Sequence, residues 1–92
     1  MIKTFKHKGL KRFFEKSDHS GIPAASADRI TRTLDRLDAA KVPQDMRLPG
    51  YGYHPLKGDR KGTYSVTVTG NYRLTFTFDA EGAKDVNLED YH

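Results

Sequence analysis

Cysteine and tryptophan are both missing from this 92-residue sequence, and proline occurs only four times. Without cysteine, neither a disulfide framework nor a thiolate metal site is available, which fits a reducing compartment. No apolar run approaches the ~20 residues that a membrane-spanning helix needs, and the basic first residues are not followed by the apolar region of a signal peptide. We therefore expect a single cytoplasmic domain, residues 1–92, with no membrane contact.

Acidic residues are scarce at the start of the chain. The formal net charge is +4, and within the first sixteen residues five lysines and one arginine face Glu15 alone. A basic surface favours a polyanion such as nucleic acid, because binding releases counterions. Many small basic domains bind no nucleic acid, so charge raises this possibility without deciding it.

Two short elements are predicted near the start. Residues Ile2–Lys6 alternate loosely, which predicts a short first strand with Phe5 facing the core. A helix is predicted over about His7–Lys16, because large apolar residues then recur at i, i+3 and i+4, namely Leu10, Phe13 and Phe14. His7 and His19 are predicted to be surface residues without a metal role, since neither has acidic or histidine neighbours at ligand spacing.

A longer helix is predicted next, with Pro23 in its first turn and its end near Ala40. Its apolar stripe has a period of 3.6 residues and comprises Ala27, Ile30, Leu34 and Leu37. A second stripe is basic and interleaved with aspartates; it comprises Arg29, Arg32 and Arg36. Contacts with RNA phosphates are conceivable there, but a solvated, ion-paired face is the simpler interpretation.

The second half of the chain contains the strongest pattern. Apolar residues alternate from Tyr64 to Val68 and again from Tyr72 to Phe78, which predicts two strands of a hairpin. A two-residue turn would set Val68 opposite Arg73 and mix the two faces. A three-residue loop, Thr69–Asn71, with a bulge brings all the apolar residues to one face. The other face is then polar and comprises Ser65, Thr67, Thr69, Arg73, Thr75 and Thr77.

This polar face is entered from a basic loop, HPLKGDRKG, residues 54–62. A cation above hydroxyls, beside His54 and Lys57, can hold a phosphate. A solvated outer face with an incidental Arg73 is the alternative. The loop is not a nucleotide-binding loop, because neither GxxxxGK[ST] nor GxGxxG with a following helix is present.

A last strand is predicted after a turn at Asp79–Gly82, with Val86 and Leu88 facing inward. It runs into Glu89-Asp90-Tyr91-His92. Carboxylate, phenol and imidazole groups all transfer protons or hold a nucleobase. If this strand pairs with the hairpin, its end approaches the Arg73 face and the loop at His54.

Three motifs together, HPLKGDRKG, SVTVTGNYRLTF and the final LEDYH, resemble the HigB toxins, a RelE-superfamily group encoded with a HigA antitoxin. The resemblance covers nearly the whole chain, including the opening MIKTFKHKGLKRFFE. It departs from the family where Tyr64 and Tyr72 replace a frequent tryptophan and Tyr53 a frequent leucine. These exchanges keep a large apolar or aromatic side chain.

The resemblance implies an α+β, RelE-like microbial RNase fold, with two N-terminal helices packed on a small antiparallel sheet. It implies a ribosome-dependent endoribonuclease that cleaves messenger RNA in the A site without a metal or other cofactor. The implied partners are a HigA-type helix-turn-helix antitoxin and the ribosome with its message, with operator DNA bound only through the antitoxin. The implied catalytic residues are His54, Lys57, Arg73, Asp90, Tyr91 and His92.

Metal-free RNA cleavage through the 2′-hydroxyl requires a base, an acid and positive charge at the phosphorane. Lys57 and Arg73 suit the charge, Tyr91 can stack on a base or position the phosphate, and His54, Asp90 and His92 suit the proton transfers, with base and acid left open. Two other functions remain open: a non-catalytic RNA-binding module, and a gyrase-targeting ParE-like toxin on the same fold.

Overall fold

The computed structural model describes residues 1–90, in which two α-helices precede a four-stranded antiparallel sheet in the order β1-β2-β3-β4. The elements are α1 (Lys8–Lys16), α2 (Ala27–Ala39), β1 (His54–Pro55), β2 (Tyr64–Thr67), β3 (Tyr72–Asp79) and β4 (Gly82–Asp90). The α+β class expected from the sequence is confirmed. Neither helix in this part of the chain has the length and apolar character to cross a bilayer.

Helix α1 begins one residue later than its periodicity predicts, because His7 caps it. The His7 Nδ1 accepts a hydrogen bond of 3.0 Å from the Leu10 amide. Burial, and then the charge of Arg12, lower the pKa of His7, which keeps the ring neutral and its nitrogen able to accept. The helix ends at Ser17, which is left-handed (φ 57°) and donates its amide to Arg12 and Phe13 carbonyls.

The predicted apolar stripe of helix α2 faces the core, since Ile30, Leu34 and Leu37 are buried. The expectation that Pro23 lies in its first turn is wrong. Pro23 precedes a separate 3₁₀ turn, Ala24–Ser26, and the backbone at Ser26 (φ −104°, ψ 2°) leaves helical geometry before α2 begins. The helix ends at Ala39, one residue before the predicted end.

The prediction of a strand at Ile2–Lys6 is also wrong. Within residues 1–90, this segment forms two isolated parallel bridges, Ile2 with Ala83 and Phe5 with Val86. Regular pairing fails because β4 bulges between them, where Asp85 adopts a left-handed backbone (φ 53°) and donates its amide to Thr4 Oγ1 at 2.9 Å. The segment still covers the outer edge of β4, which protects that edge from pairing with another chain.

The hairpin of β2 and β3 has the predicted register. Tyr64 pairs with Phe76 and Val66 with Leu74. At the loop, the amides of both Val68 and Thr69 donate to the Tyr72 carbonyl, at 2.9 and 3.1 Å. Val68 and Thr69 thus oppose the single residue Tyr72, and this irregularity keeps the apolar side chains of both strands on the same face.

The hydrophobic core lies between the helices and one face of this sheet. Its fully buried side chains include Leu10, Ile30, Leu34, Leu37, Met46, Val66, Leu74, Phe76 and Val86. Burying these residues is the main favourable contribution to folding. Because strand residues alternate between faces, the same packing directs the polar residues of β2, β3 and β4 to the opposite side.

Gly9 in α1 is in close backbone contact with Gly21, and a Cβ at Gly9 would lie 2.3 Å from the Gly21 oxygen. Alanine ordinarily favours a helix over glycine by up to about 1 kcal/mol. Here the overlap with backbone outweighs that gain. We expect Gly9→Ala to lower the thermal midpoint by roughly 5–15 °C, measured by circular dichroism. Gly70→Ala, with nothing within 4 Å of the added carbon, is the control; equal midpoints for the two variants would contradict the contact.

Candidate active site

The polar face of the sheet is ordered in two rows that run across the strands. Directly paired residues of an antiparallel ladder point to the same face, so the register alone defines these rows. One row comprises His54, Ser65, Thr75 and Asn87, and the next comprises Thr67, Arg73 and Glu89.

The centre of this face is not solvated. Ser65 is 1% exposed and Thr75 is 2% exposed. A groove runs over the β3–β4 part of the face and is lined by Lys6, Asp59, Arg60, Thr63, Thr75, Thr77, Asp85, Asn87 and Glu89. The interpretation of the polar side as a solvated outer face is therefore wrong for its middle, where hydroxyls are enclosed beside charged groups.

Glu89 joins these charged groups. Its carboxylate accepts both arms of the Arg60 guanidinium, one at 2.8 Å from Nη1 to Oε1 and the other from Nη2 to Oε2. Thr75 Oγ1 donates to Oε2 at 2.7 Å, and Arg73 Nη2 donates to Oε1 at 3.3 Å. One carboxylate thus links the basic loop, the centre of β3 and the end of β4.

This arrangement strongly favours the ionised form of Glu89. The hydrogen bonds from Arg60 contribute most, and together with Thr75 and Arg73 they outweigh the opposing effect of burial, so the pKa of Glu89 falls to about 2. In return, the same hydrogen bonds raise the pKa of Arg60. Glu89 and Arg60 are therefore both charged throughout the physiological range.

The sequence interpretation overlooked Glu89 and Arg60 as site residues. A signal was available, because Leu88 faces inward and its neighbour Glu89 must face the Arg73 side. The same alternation places Asp90 on the helix side, paired with Tyr72, where it lines a groove with His7 and Leu88. The end of β4 therefore reaches the Arg73 side as expected, but through Glu89, whereas Asp90 faces the other side.

His54 begins β1 at the outer end of the first row and is exposed. Its Nδ1 lies 3.0 Å from the Gly52 carbonyl oxygen. A carbonyl can only accept a hydrogen bond, so this contact requires a proton on Nδ1, and in the neutral ring Nε2 then carries the lone pair. His54 is thereby prepared to accept a proton at Nε2.

The connector before His54 is fixed by Arg29 of α2. Arg29 Nη2 donates to the Gly50 carbonyl at 2.7 Å, and its guanidinium lies 4.4 Å from the centre of the Tyr51 ring. The Thr67 amide donates to the Tyr51 carbonyl at 2.6 Å. The interpretation of Arg29 as part of a solvated, ion-paired face is therefore wrong: it holds the connector against β2.

Gly52 completes this connection. It is left-handed (φ +58°), and a side chain there would meet Thr67 Oγ1 at 2.8 Å. Only glycine combines that backbone with so close an approach at low cost. The helix, the connector and β2 thus hold the carbonyl that orients His54.

Of the remaining predicted site residues, Lys57 is exposed and directly precedes the 3₁₀ turn Gly58–Arg60. Tyr91 and His92 lie outside the described residues. Within residues 1–90, no group of three or more histidine or acidic side chains is arranged to hold a metal ion.

Spacing across the sheet sets the scale of this surface. Neighbouring strands lie about 5 Å apart, so β1 and β3 are separated by about 10 Å. Arg73 also lies two residues, or about 7 Å, away from the His54 row along the strand. The long arginine side chain and the imidazole shorten this separation, and both extend over the same face. The groups named, an imidazole, three cations and enclosed hydroxyls, can bind a phosphate and transfer a proton.

Sequence comparison gives one family match and two relatives. Residues 3–92 match the family described as RelE-like toxin of type II toxin-antitoxin system HigB. The chain is 50% identical over 92 residues to Endoribonuclease HigB of Proteus vulgaris, covering all of both chains. It is 38% identical over 78 residues to Toxin HigB-1 of Vibrio cholerae serotype O1, covering 83% of this chain and 82% of that one.

Solved structures share the fold at much lower identity. The YoeB-YefM complex from Staphylococcus aureus matches with a TM-score of 0.64 and 21% identity, over 100% of this chain and 95% of that chain. A YoeB/ParE toxin from Agrobacterium tumefaciens matches with a TM-score of 0.59 and 16% identity, over 99% and 98%.

The depressed pKa of Glu89 gives a prediction about stability and pH. A carboxyl group whose pKa falls from 4.5 to about 2 on folding stabilises the protein above pH 4.5, and this contribution is lost as the pH falls towards 2. We expect Glu89→Gln to have a lower thermal midpoint than the original protein at pH 6, with the difference narrowing between pH 4.5 and 2. Glu81→Gln, an exposed carboxyl in the β3–β4 turn, is the control. A difference that stays constant down to pH 2 would contradict the ion-pair assignment.

Proposed function

The chain belongs to the HigB family of RelE-like toxins of type II toxin–antitoxin systems and is an endoribonuclease toxin of that family, and we propose that it cleaves translated messages in the ribosomal A site. The proposed enzyme is a single RelE-like domain with a microbial RNase fold, acts in the cytoplasm and needs no metal. The observation that carries the proposal is the shared face of Arg73, Arg60 and His54, on which a phosphodiester finds both positive charge and a proton acceptor.

The proposed reaction uses the nucleophile of the substrate. The 2′-oxygen forms a bond to phosphorus while the bond from phosphorus to the 5′-oxygen breaks. A base takes the 2′-hydroxyl proton, and an acid gives a proton to the departing 5′-oxygen. The products are a 2′,3′-cyclic phosphate and a 5′-hydroxyl end, with no water consumed in this step.

We assign the proton transfers to His54, Asp90 and His92. His54 supports this assignment through its contact with Gly52, which leaves Nε2 as the accepting atom of the neutral ring. Asp90 lies on the helix side of β4, and its assignment, as base or as the group that orients an imidazole, rests on the family resemblance. Tyr91 stacks on a base or positions the phosphate.

We assign the stabilisation of the phosphorane's negative charge to Arg73 and Lys57. The pentavalent phosphorane carries more negative charge on its equatorial oxygens than the starting diester, and fixed cations stabilise that increase. The planar guanidinium of Arg73 provides directed donors, while Lys57 on the exposed loop contributes a point charge. A metal ion is not required for any of these roles.

The proposed partners follow from membership in a toxin–antitoxin family. We propose a HigA-type helix-turn-helix antitoxin that neutralises the toxin, and contact with operator DNA only through that antitoxin. The described surface carries charges of both signs on which a protein partner can dock: the lysines of the first residues, and the acidic cluster Asp79, Glu81 and Asp85. No membrane partner is proposed.

Ribosome dependence is the first testable part. A small site with few acid-base groups gains most of its rate from a correctly held substrate, and the ribosome holds the message in line. We expect codon-associated cuts when the protein is added to a translating extract, mapped as new 5′ ends, and little cleavage of the same RNA without ribosomes. Equal rates with and without ribosomes would overturn this part of the proposal.

The catalytic assignment is tested by single substitutions. Loss of an acid-base group typically costs ~10²- to 10⁴-fold in rate, so His92→Ala and His54→Ala should fall within that range, and Lys57→Ala and Arg73→Ala should also lose rate. Lys11→Ala, at an exposed position of α1, should cost little. Thermal unfolding of each variant verifies the fold. A well-folded His92→Ala protein that cuts messages at the original rate would exclude His92 from catalysis.

The antitoxin proposal is tested by co-expression. We expect the toxin and a HigA-type protein encoded beside it to elute as one complex in size-exclusion chromatography. Relief of growth arrest on co-expression provides an independent measurement. Separate elution together with continued arrest would count against a HigA-type partner.

A further inference from the structure

Glu89 lies where the proposed site is held together, although it is not one of its reacting groups. Its carboxylate contacts Arg73 on β3 and Arg60 on the basic loop. Arg60 closes the 3₁₀ turn that begins directly after Lys57. Both proposed phosphorane-stabilising cations are therefore connected to one side chain, Arg73 directly and Lys57 through its loop.

The geometry of these contacts indicates that the Glu89 carboxylate is held in one position and is not readily displaced. Arg60 engages the carboxylate with both arms, which sets the plane of the guanidinium as well as its distance. Thr75, itself buried, supplies a further hydrogen bond from the floor of the face. The Glu89 side chain is 18% exposed and that of Arg73 is 20% exposed, so solvent screens their contact weakly. The Arg60 side chain is more open to solvent, at 41% exposed.

Charge also favours this role. Arg60 and Arg73 are both drawn to one carboxylate and would repel each other without it. With Glu89 between them, the two guanidinium groups stay close on one face while retaining a net positive charge of one. A phosphodiester reaching Arg73 then meets an arginine whose position is already set, so less ordering is required during the reaction.

We propose that Glu89 is the positioning residue of the active site, holding Arg73 and, through Arg60, the Lys57 loop in the orientation that stabilises the phosphorane. This inference rests on the proposed function. It differs from two alternatives: a carboxylate that only stabilises the fold, and a carboxylate that blocks the phosphate site until RNA displaces it.

Kinetics with Glu89→Gln on ribosomes carrying a defined message separate these three roles. Positioning predicts a ~10- to 100-fold lower single-turnover rate, with the half-saturating ribosome concentration changed by less than about threefold. A blocking carboxylate predicts a faster reaction or tighter binding. Glu15→Gln, at an exposed position of α1, removes an equally charged carboxylate outside the site and should leave the rate unchanged.

A double-mutant cycle with Arg73 distinguishes positioning from fold stability. If Glu89 acts through Arg73, the Glu89→Gln substitution should cost at least several-fold less in an Arg73→Ala background than in the original protein. A carboxylate that only supports the fold would cost the same in both backgrounds. Rates are measured below the thermal midpoint of every variant.

A second pair of variants keeps the inference testable should Glu89→Gln fold poorly. Arg60→Lys retains the charge but loses the two-armed contact, and it should lower the rate several-fold. Lys61→Arg makes the reverse exchange at the exposed neighbouring position and should not. The inference would be overturned by an unchanged rate in Glu89→Gln or, where that variant does not fold, by an unchanged rate in Arg60→Lys. A faster reaction in Glu89→Gln would also overturn it, as would equal losses from Glu89→Gln in the original and Arg73→Ala backgrounds. The original protein must cut the translated message in the same assay; its failure to do so would instead refute the proposed function.

Discussion

Burial of one face of the sheet is the constraint on which the rest of this small protein depends. Two short helices can cover only one side, so the apolar residues of β2, β3 and β4 must all point there, and Val66, Leu74 and Val86 are fully buried. A slip of one residue in the register would turn these side chains outward. The register that protects the core therefore also decides which polar groups meet on the other side, including Arg73 and Glu89.

This constraint explains how much of the fold could be predicted. The three-residue loop between β2 and β3 followed from phase alone, because a two-residue turn would have opposed Val68 to Arg73. The first segment was harder. Ile2–Lys6 alternates like a strand, but its neighbour β4 contains Asp85 with a left-handed backbone. This conformation is uncommon outside glycine and could not be predicted from the sequence. A local pattern cannot reveal an irregularity in the partner strand.

The site was predicted unevenly for the same reason. His54, Lys57 and Arg73 were predicted from residue chemistry and from family resemblance, and the ladder places His54 and Arg73 on one face. Alternation with Leu88 places Glu89 on the Arg73 side, but charge alone gives a carboxylate among cations no evident role there. Its value appears only when its four hydrogen bonds from Arg60, Arg73 and Thr75 are known. Such contacts depend on how the loop folds back over the sheet, which no periodicity encodes.

A carboxylate inside the proposed phosphate-binding surface removes positive charge that the proposed reaction needs, so its presence there calls for a compensating effect. Two arginines without it would attract an anion more strongly, but they would also repel each other and sample many side-chain rotamers. Catalysis depends on stabilisation that increases from the bound diester to the phosphorane, and general attraction serves both states equally. In the proposed reaction, fixing the direction of Arg73 therefore favours the transition state over simple binding, and the exposed Lys57 would supply positive charge that Glu89 does not directly neutralise.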